Sequence, residues 1–208
     1  MTAILGNELV SVVGIQPSTL QPSAYAVNTA PGQFGNGVGY MPETGDLYRL
    51  VSQPGLSPAS TAANIVLAVY SMPASSFDIA QRGLMLTAHG SFAANANTKT
   101  VNIVFGATTA VVGTAVTGGT VVATTGASVG SGVGYRIQAN VYKYGVAGSN
   151  TQIGMQASAI VGATALGVTP PVLTTVAENA VILIAVTGNS ATTTTDIVQN
   201  LFEVAGKN

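Results

Sequence analysis

The chain has 208 residues, only 6% of them charged, and a formal net charge of −1 at pH 7. Ordinary soluble domains carry about 25% charged residues, so hydroxyl groups, side-chain amides and the backbone must supply the polar surface here. Such a surface offers no basic patch for phosphates, which argues against nucleic acid as a partner, and its low net charge favours association. The absence of cysteine excludes disulfides and thiolate chemistry and suits assembly in a reducing cytoplasm.

Residues 1–45 are predicted to form an extended arm that contacts neighbouring subunits. They show no sustained hydrophobic period, contain a glycine cluster at 34–40 (FGNGVGY), and are interrupted by Pro17, Pro22, Pro31 and Pro42. Proline removes a backbone donor and glycine loosens the chain, so a packed domain is not expected here. An arm folded back on its own domain is the alternative. The opening MTAILGNELVSVVG lacks a basic segment and includes Glu8, which is not the pattern of a secretory signal.

From Asp46 onward the sequence is typical of many short strands separated by turn signals such as TGG, GSN and TPP. No stretch of ten or more residues sustains a helical period with caps. The pattern predicts an all-β domain over residues 46–208, with about eight strands in two packed sheets. The apolar or alternating runs occupy residues 46–52, 64–72, 83–92, 98–106, 107–116, 134–145, 148–162, 180–188 and 196–206.

Alternation in two of these strands assigns their faces, because successive side chains of a strand point in opposite directions. In the first, Lys99, Val101, Ile103 and Phe105 are expected to point one way, and Thr98, Thr100, Asn102 and Val104 towards water or a neighbour. In the second, the inward set is Tyr135, Ile137, Ala139 and Val141, and the outward set is Arg136, Gln138, Asn140 and Tyr142.

Two further local features are interpreted in the same way. Gly106 ends an alternating run, and we expect it to take a positive φ where the chain leaves the sheet. The run AVILIAV at 180–186 is predicted to be a strand buried on both faces. It is far shorter than the ~20 residues that cross a bilayer, so no membrane partner is expected.

Several phrases resemble virion proteins of tailed bacteriophages. They are NTKTVNIVFGATT (97–109), GVGYRIQANVYKYG (132–145), SNTQIGMQASAI (149–160) and NSATTTTDIVQNLFEV (189–204), with GNELVSVVGIQPS (6–18) in the arm. They look like the jelly-roll modules of capsid decoration (cement) proteins, head fibres and some tail-associated proteins. The resemblance covers most of residues 46–208. It implies a jelly-roll antiparallel sandwich, a structural role on the capsid surface, and homo-oligomers, with trimers favoured. It supplies no functional residues.

No catalytic, cofactor-binding or metal-binding residues are predicted. The sole histidine, His89, lacks the partners of a catalytic pair or a zinc site, and a strand-end histidine with an ordinary hydrogen bond is expected instead. Glu43 and Asp46 are interpreted as a polar turn, since one such cluster supplies few of the ~6–8 oxygens that calcium takes. The carboxylates are scattered singly, which gives no support for a glycosidase pair.

Two other patterns bear on ligand binding. GNGVGY (35–40) and GSGVGY (130–135) lack the strand and helix context of a dinucleotide loop and are interpreted as flexible connections. Tyr135, Tyr142 and Tyr144 form the only dense aromatic group. Tyr142 and Tyr144 are expected to lie opposite Tyr135 and to touch a neighbouring subunit rather than a glycan.

We therefore expect a non-enzymatic capsid decoration protein, located on the virion and assembled in the host cytoplasm. Its partners would be further copies of itself and the major capsid protein or other virion proteins. The alternative is a head or tail fibre, or a receptor-binding module whose uncharged loop at 117–132 touches a host glycan. A pilin or surface-layer subunit is disfavoured by the opening residues, and a hydrolase by the lack of a site. A tailed-phage major capsid protein would require long helices.

Overall fold

The computed structural model describes residues 63–190 and 196–207, together with the backbone of 45–51. The predicted arm therefore lies outside the described residues, apart from Gly45. The described residues form strands and no helix. The strands are β1 (Gly45–Val51), β2 (Ile65–Met72), β3 (Gly83–Phe92), β4 (Lys99–Ala107), β5 (Thr120–Thr124), β6 (Gly134–Lys143), β7 (Gln152–Val161), β8 (Thr164–Ala165), β9 (Val172–Thr174), β10 (Ile182–Ser190) and β11 (Ile197–Lys207).

The strands form two antiparallel sheets. The larger has the order β9-β7-β6-β3-β11-β1, with β8 also paired to β7, and the smaller has the order β2-β10-β4-β5. Eight of the strands, β1 to β6, β10 and β11, show a regular path through the two sheets. Followed in this order, the chain passes to the other sheet at every connection except the one from β4 to β5. The resulting orders, β1-β11-β3-β6 and β2-β10-β4-β5, are those of a jelly roll, which places eight strands in two sheets. The segment β7–β9 widens the first sheet. The predicted all-β jelly-roll sandwich is confirmed.

The inner faces of the two sheets meet in one hydrophobic core. Phe77 and Phe105 pack edge to face within it, with ring centroids 6.0 Å apart, an arrangement that aromatic pairs prefer. The face assignments are confirmed, because the apolar residues predicted to point inward are buried in this core: Val101, Ile103, Phe105, Tyr135, Ile137, Ala139 and Val141.

The outer face of the smaller sheet is also covered. Asn102 and Val104 of β4, and Ala185 and Thr187 of β10, are buried although they lie outside the core cluster. The expectation that this face of β4 meets water or a neighbour is therefore wrong for Asn102 and Val104, which are covered within the chain. The sequence alternates regularly here, and alternation alone does not report whether a second layer covers the outer residues.

Residues 107–116 form a hairpin beyond Ala107 rather than a strand. Its tip hydrogen-bonds β2, with Val66 N donating to Thr114 O at 2.8 Å and Gly113 N donating to Val66 O at 2.9 Å. Gly118 and Gly119 have φ values of 64° and 82°, which turn the chain into β5. The uncharged loop predicted at 117–132 therefore contains an edge strand.

Gly106 has a φ of 74°, as predicted, but it lies within β4, which continues to Ala107, rather than where the chain leaves the sheet. It has no partner across the sheet, because Leu183 pairs with Ala107 and Ile184 pairs with Phe105. Gly106 is thus the extra residue of a β-bulge, a position where glycine takes the left-handed conformation without a steric penalty. The strand predicted at 180–186 is confirmed from Ile182 onward, whereas Val181 precedes β10 and is exposed.

Candidate functional site: an apolar end above a buried ion cluster

Three loops meet at the end of the sandwich where β2 and β6 finish and β10 starts. They are residues 73–82, 144–151 and 175–181. Backbone hydrogen bonds join them: Ser75 N donates to Glu178 O at 2.8 Å, and Gln81 N donates to Lys143 O at 2.8 Å. These bonds link segments that are far apart in the sequence, so the loops form one fixed surface.

A buried ion cluster lies beneath these loops. Lys143 Nζ is 2.5 Å from Glu178 Oε2 and 3.7 Å from Asp78 Oδ1, and the side chains of Lys143 and Glu178 are fully buried. Gly148 N donates to Asp78 Oδ1 at 2.6 Å, and Asn150 N donates to Glu178 Oε2 at 3.0 Å. Each loop contributes to this cluster. Because a buried charge without its partner is costly, the cluster fixes the relative positions of the loops.

Four large apolar side chains on these loops are exposed, and we call this group the apolar end. It consists of Ile79, Tyr144, Val146 and Val181, whose exposed fractions are 51%, 54%, 73% and 57%. Each of the three loops contributes at least one of these side chains. Large apolar side chains grouped on ordered loops are typical of contact surfaces, since isolated ones are common but groups are not.

The opposite end of the sandwich is closed by polar groups. Asp196 is buried, and its carboxylate accepts hydrogen bonds from Asn95 Nδ2 at 2.7 Å, Asn97 Nδ2 at 2.8 Å and Ser190 Oγ at 2.5 Å. Burial alone raises the pKa of Asp196. The three hydrogen bonds and the charge of Lys99 outweigh it, so the pKa lies below its ordinary value.

Lys99 completes this polar closure. Its Nζ is buried and donates to Asn95 O at 3.0 Å, Asn97 O at 2.8 Å and Gly130 O at 3.2 Å. It also lies 5.8 Å from the centroid of the Phe92 ring, within the range of a cation–π contact. The ammonium group is therefore held entirely by the chain itself and is not available to a ligand.

Charged side chains contribute little to the exposed surface of the described residues. No Asp, Glu, Lys or Arg within residues 63–190 and 196–207 is exposed; each is either buried or only partly accessible. The exposed groups of these residues are hydroxyls, amides, backbone and apolar side chains. Removing hydroxyls and amides from water costs far less than removing ions, so this surface can be covered by another molecule at low cost.

His89 does not lie at a strand end, as expected from the sequence; it is the seventh residue of β3. It points to the outer face of the larger sheet, paired across the strands with Arg136 on β6 and Leu201 on β11. Partial burial lowers the pKa of His89, the charge of Arg136 lowers it further, and Glu203 opposes the shift. The expected ordinary hydrogen bond is not found among the described residues.

The structure separates the three tyrosines. Tyr135 is buried, and its Oη donates to Gln199 Oε1 at 2.6 Å. Tyr142 lies on the opposite face, with its ring against Gly83, where a Cβ would be 2.6 Å from two ring atoms. Tyr144 follows the end of β6 and belongs to the apolar end. The predicted outward pair is thus reduced to one freely exposed ring.

The other sequence candidates contribute nothing to this end. Glu43 and GNGVGY (35–40) lie outside the described residues, and only the backbone of Asp46 is described. GSGVGY (130–135) leads directly into β6, as predicted. Within the described ranges, no group of three or more His, Cys, Asp or Glu is arranged to hold a metal ion.

Sequence reasoning missed the ion cluster. The carboxylates were interpreted as scattered singly, yet Asp78 and Glu178 converge on Lys143 from different loops. The available signal was the alternation of β6. Lys143 follows Val141 by two residues and so occupies the inward position of the strand, where an unpaired lysine would be costly.

No protein-family model matches this chain, and no curated protein sequence matches it. Across the described part of the chain, no helix has the length and apolar character needed to span a membrane. Fold and site together define a jelly-roll β-sandwich with an apolar end, in which the charged side chains of residues 63–190 and 196–207 are buried or only partly accessible.

Proposed function

We propose that this chain is a structural protein of a tailed-phage virion, a decoration or cement protein that acts by covering neighbouring molecules rather than by catalysis. The single observation that carries the proposal is the distribution of charge and apolar surface. Every charged side chain in residues 63–190 and 196–207 is buried or only partly accessible, while the apolar end exposes Ile79, Tyr144, Val146 and Val181. Such a molecule gains stability when sister copies or shell proteins bury that end.

Two further points support the proposal. The jelly-roll strand order agrees with the fold that the phage resemblance implies, and jelly rolls are common among viral capsid proteins. The buried ion cluster holds the apolar end rigid, so little conformational entropy is lost when it is covered. The resemblance favours trimers, with residues 1–45 as a second contact to neighbouring subunits or to the major capsid protein.

Sedimentation velocity of the full chain tests the association step. Wild-type protein is expected to sediment as an oligomer, and Val146→Asp to shift it to a monomer, because the variant places a charge in the contact. Val129→Asp is the matched control, since Val129 is 62% exposed but lies on the connection beside Lys99 at the other end of the sandwich. A monomeric wild type, or equal behaviour of both variants, contradicts the proposal.

The virion location needs a separate experiment. Co-sedimentation of the purified chain with phage heads that lack their decoration protein is expected to show binding, and loss of residues 1–45 is expected to abolish it. Circular dichroism of the truncated chain checks that the domain remains folded. Full occupancy of heads by the truncated protein would refute the role of the arm.

The exposed Tyr144 ring favours one second candidate, a fibre or receptor-binding module that contacts a host glycan. Exposed aromatic rings are suitable surfaces for sugar faces, and Tyr144 lies beside other exposed apolar groups. A glycan-array signal that is lost in Tyr144→Ala would favour this function over cementing. Tyr142→Ala is the comparison, because the Tyr142 ring is partly covered by Gly83.

A further inference from the structure

We propose that Lys143 and Glu178 form an intramolecular amide bond, an isopeptide cross-link that ties the end of β6 to the loop before β10. This inference does not depend on the proposed function. Both side chains are fully buried, and Lys143 Nζ lies 2.5 Å from Glu178 Oε2. Since a C–O bond is about 1.2 Å long, Glu178 Cδ lies within about 3.7 Å of Nζ, close to the separation from which two groups react.

The two oxygens of Glu178 differ in their surroundings. Oε2 accepts from Asn150 N at 3.0 Å and from Lys143 Nζ. Oε1 is buried and, among the described residues, has no hydrogen-bond partner. An amide would retain the Asn150 hydrogen bond to Oε2 and eliminate Oε1. The covalent product therefore removes the one oxygen of the cluster whose desolvation is uncompensated.

The other buried lysine provides a contrast within the same chain. Lys99 Nζ donates to three backbone carbonyl oxygens, and the Asp196 carboxylate beside it is satisfied by Asn95, Asn97 and Ser190. That arrangement gives each of the two charged groups three hydrogen bonds from within the chain. In the other cluster Lys143 Nζ donates to Ser149 Oγ at 3.2 Å and to Glu178, and Glu178 accepts one further bond, from Asn150 N. These two fully buried charges have fewer hydrogen bonds, and conversion to a neutral amide removes both charges from the interior.

The condensation balances without any other reactant. Asp78, whose Oδ1 is 3.7 Å from Lys143 Nζ and whose side chain is partly open to solvent, accepts a proton from the ammonium. The freed lone pair on Nζ attacks Glu178 Cδ, forming the Cδ–Nζ bond. Asp78 delivers its proton to Oε1, takes a second proton from the nitrogen and delivers it to the same oxygen, and the Cδ–Oε1 bond breaks to release water. One hydrogen remains on Nζ. Asp78 is thus assigned the role of a proton shuttle.

Peptide mass spectrometry of the full-length folded protein tests the cross-link. Trypsin is expected to cleave after Arg136 but not after Lys143, so residues 137–207 should appear as one peptide, lighter than its sequence by one water. Fragmentation should place the loss on Lys143 and Glu178. Release of residues 137–143 as a free peptide, an unmodified mass for 137–207, or a water loss located elsewhere overturns the proposal.

Substitutions distinguish the lysine that forms the cross-link from the aspartate that transfers the proton. Lys143→Arg keeps the charge but is expected to show the full sequence mass, while Lys207→Arg is the control and should retain the water loss. Asp78→Asn is expected to lower the cross-linked fraction severalfold in freshly folded protein, because an amide does not relay the proton. An undiminished fraction in Asp78→Asn would refute the shuttle. The wild-type peptide mass decides the cross-link itself, even if a variant fails to fold.

Discussion

Gly106 and Val176 touch in a way that only glycine permits. A Cβ built on Gly106 would overlap Val176 Cγ2, and Val176 packs against the hydrophobic core. Val176 cannot move away easily, because its backbone N and O are both hydrogen-bonded at 2.9 Å to the side-chain amide of Gln152. The bulge in β4 and the loop before β10 therefore fit together at this point.

Gly106→Ala is expected to destabilise the domain more than an alanine at a glycine with the same backbone conformation. Gly148 is the matched control, with a φ of 76° and no atom within 4 Å of its hypothetical Cβ. The left-handed conformation alone costs a non-glycine residue about 1–2 kcal/mol. Overlap with Val176 should add about 1–3 kcal/mol at Gly106. Urea unfolding measures both free energies, and equal losses would show that Val176 yields without strain.

Asp196 should make the domain acid-sensitive. Its pKa is lower in the folded chain than its ordinary value of 3.8, so the folded state binds the proton more weakly than the unfolded state. The stabilisation is therefore complete above the ordinary pKa and is lost as the pH falls through the folded value. Unfolding free energies of wild type and Asp196→Asn should differ most near neutrality and converge below about pH 4. A difference independent of pH would contradict this linkage.

His89 should titrate below its ordinary pKa of 6.5. Partial burial and the charge of Arg136 disfavour the imidazolium, while Glu203 compensates only in part. Because His89 is the sole histidine, one pair of imidazole NMR signals reports its titration. The pKa of His89 is lower in the folded chain than its ordinary value. The contribution of His89 to the free energy of unfolding is therefore present above pH 6.5 and falls as the pH is lowered. Arg136→Gln should raise the midpoint, and a midpoint at or above 6.5 in the wild type would refute this assignment.

Much of the fold follows from local pattern. The strands β3 and β4 occur within a residue of their predicted ranges, and β6 begins where predicted and ends two residues earlier. The alternation of β4 and β6 identifies their buried sets, because a pleated strand has a strict period of two. The same alternation placed Lys99 with the inward residues of β4. That placement correctly anticipated its burial, although it did not reveal the three carbonyl oxygens that hold it.

Other features lay beyond local pattern. The hairpin at 107–116 has the β-branched composition of a strand, and only its hydrogen bonds to Val66 show that it crosses to β2. The glycine that follows His89 favours a strand end at this position, yet β3 continues to Phe92. Hydrogen-bond partners supplied by a distant strand decide such boundaries, and composition does not report them.

The sequence by itself determined that this protein is an all-β sandwich with few ions, since side-chain alternation and the rarity of charge are local properties. Only the tertiary structure decided where the ions lie. Lys143 ends β6, whereas Asp78 and Glu178 lie on two loops far from it in the sequence, and the chain crossings of the jelly roll bring the three together. Burial energy depends on what surrounds a group in space, and for these residues the surroundings come from distant parts of the chain.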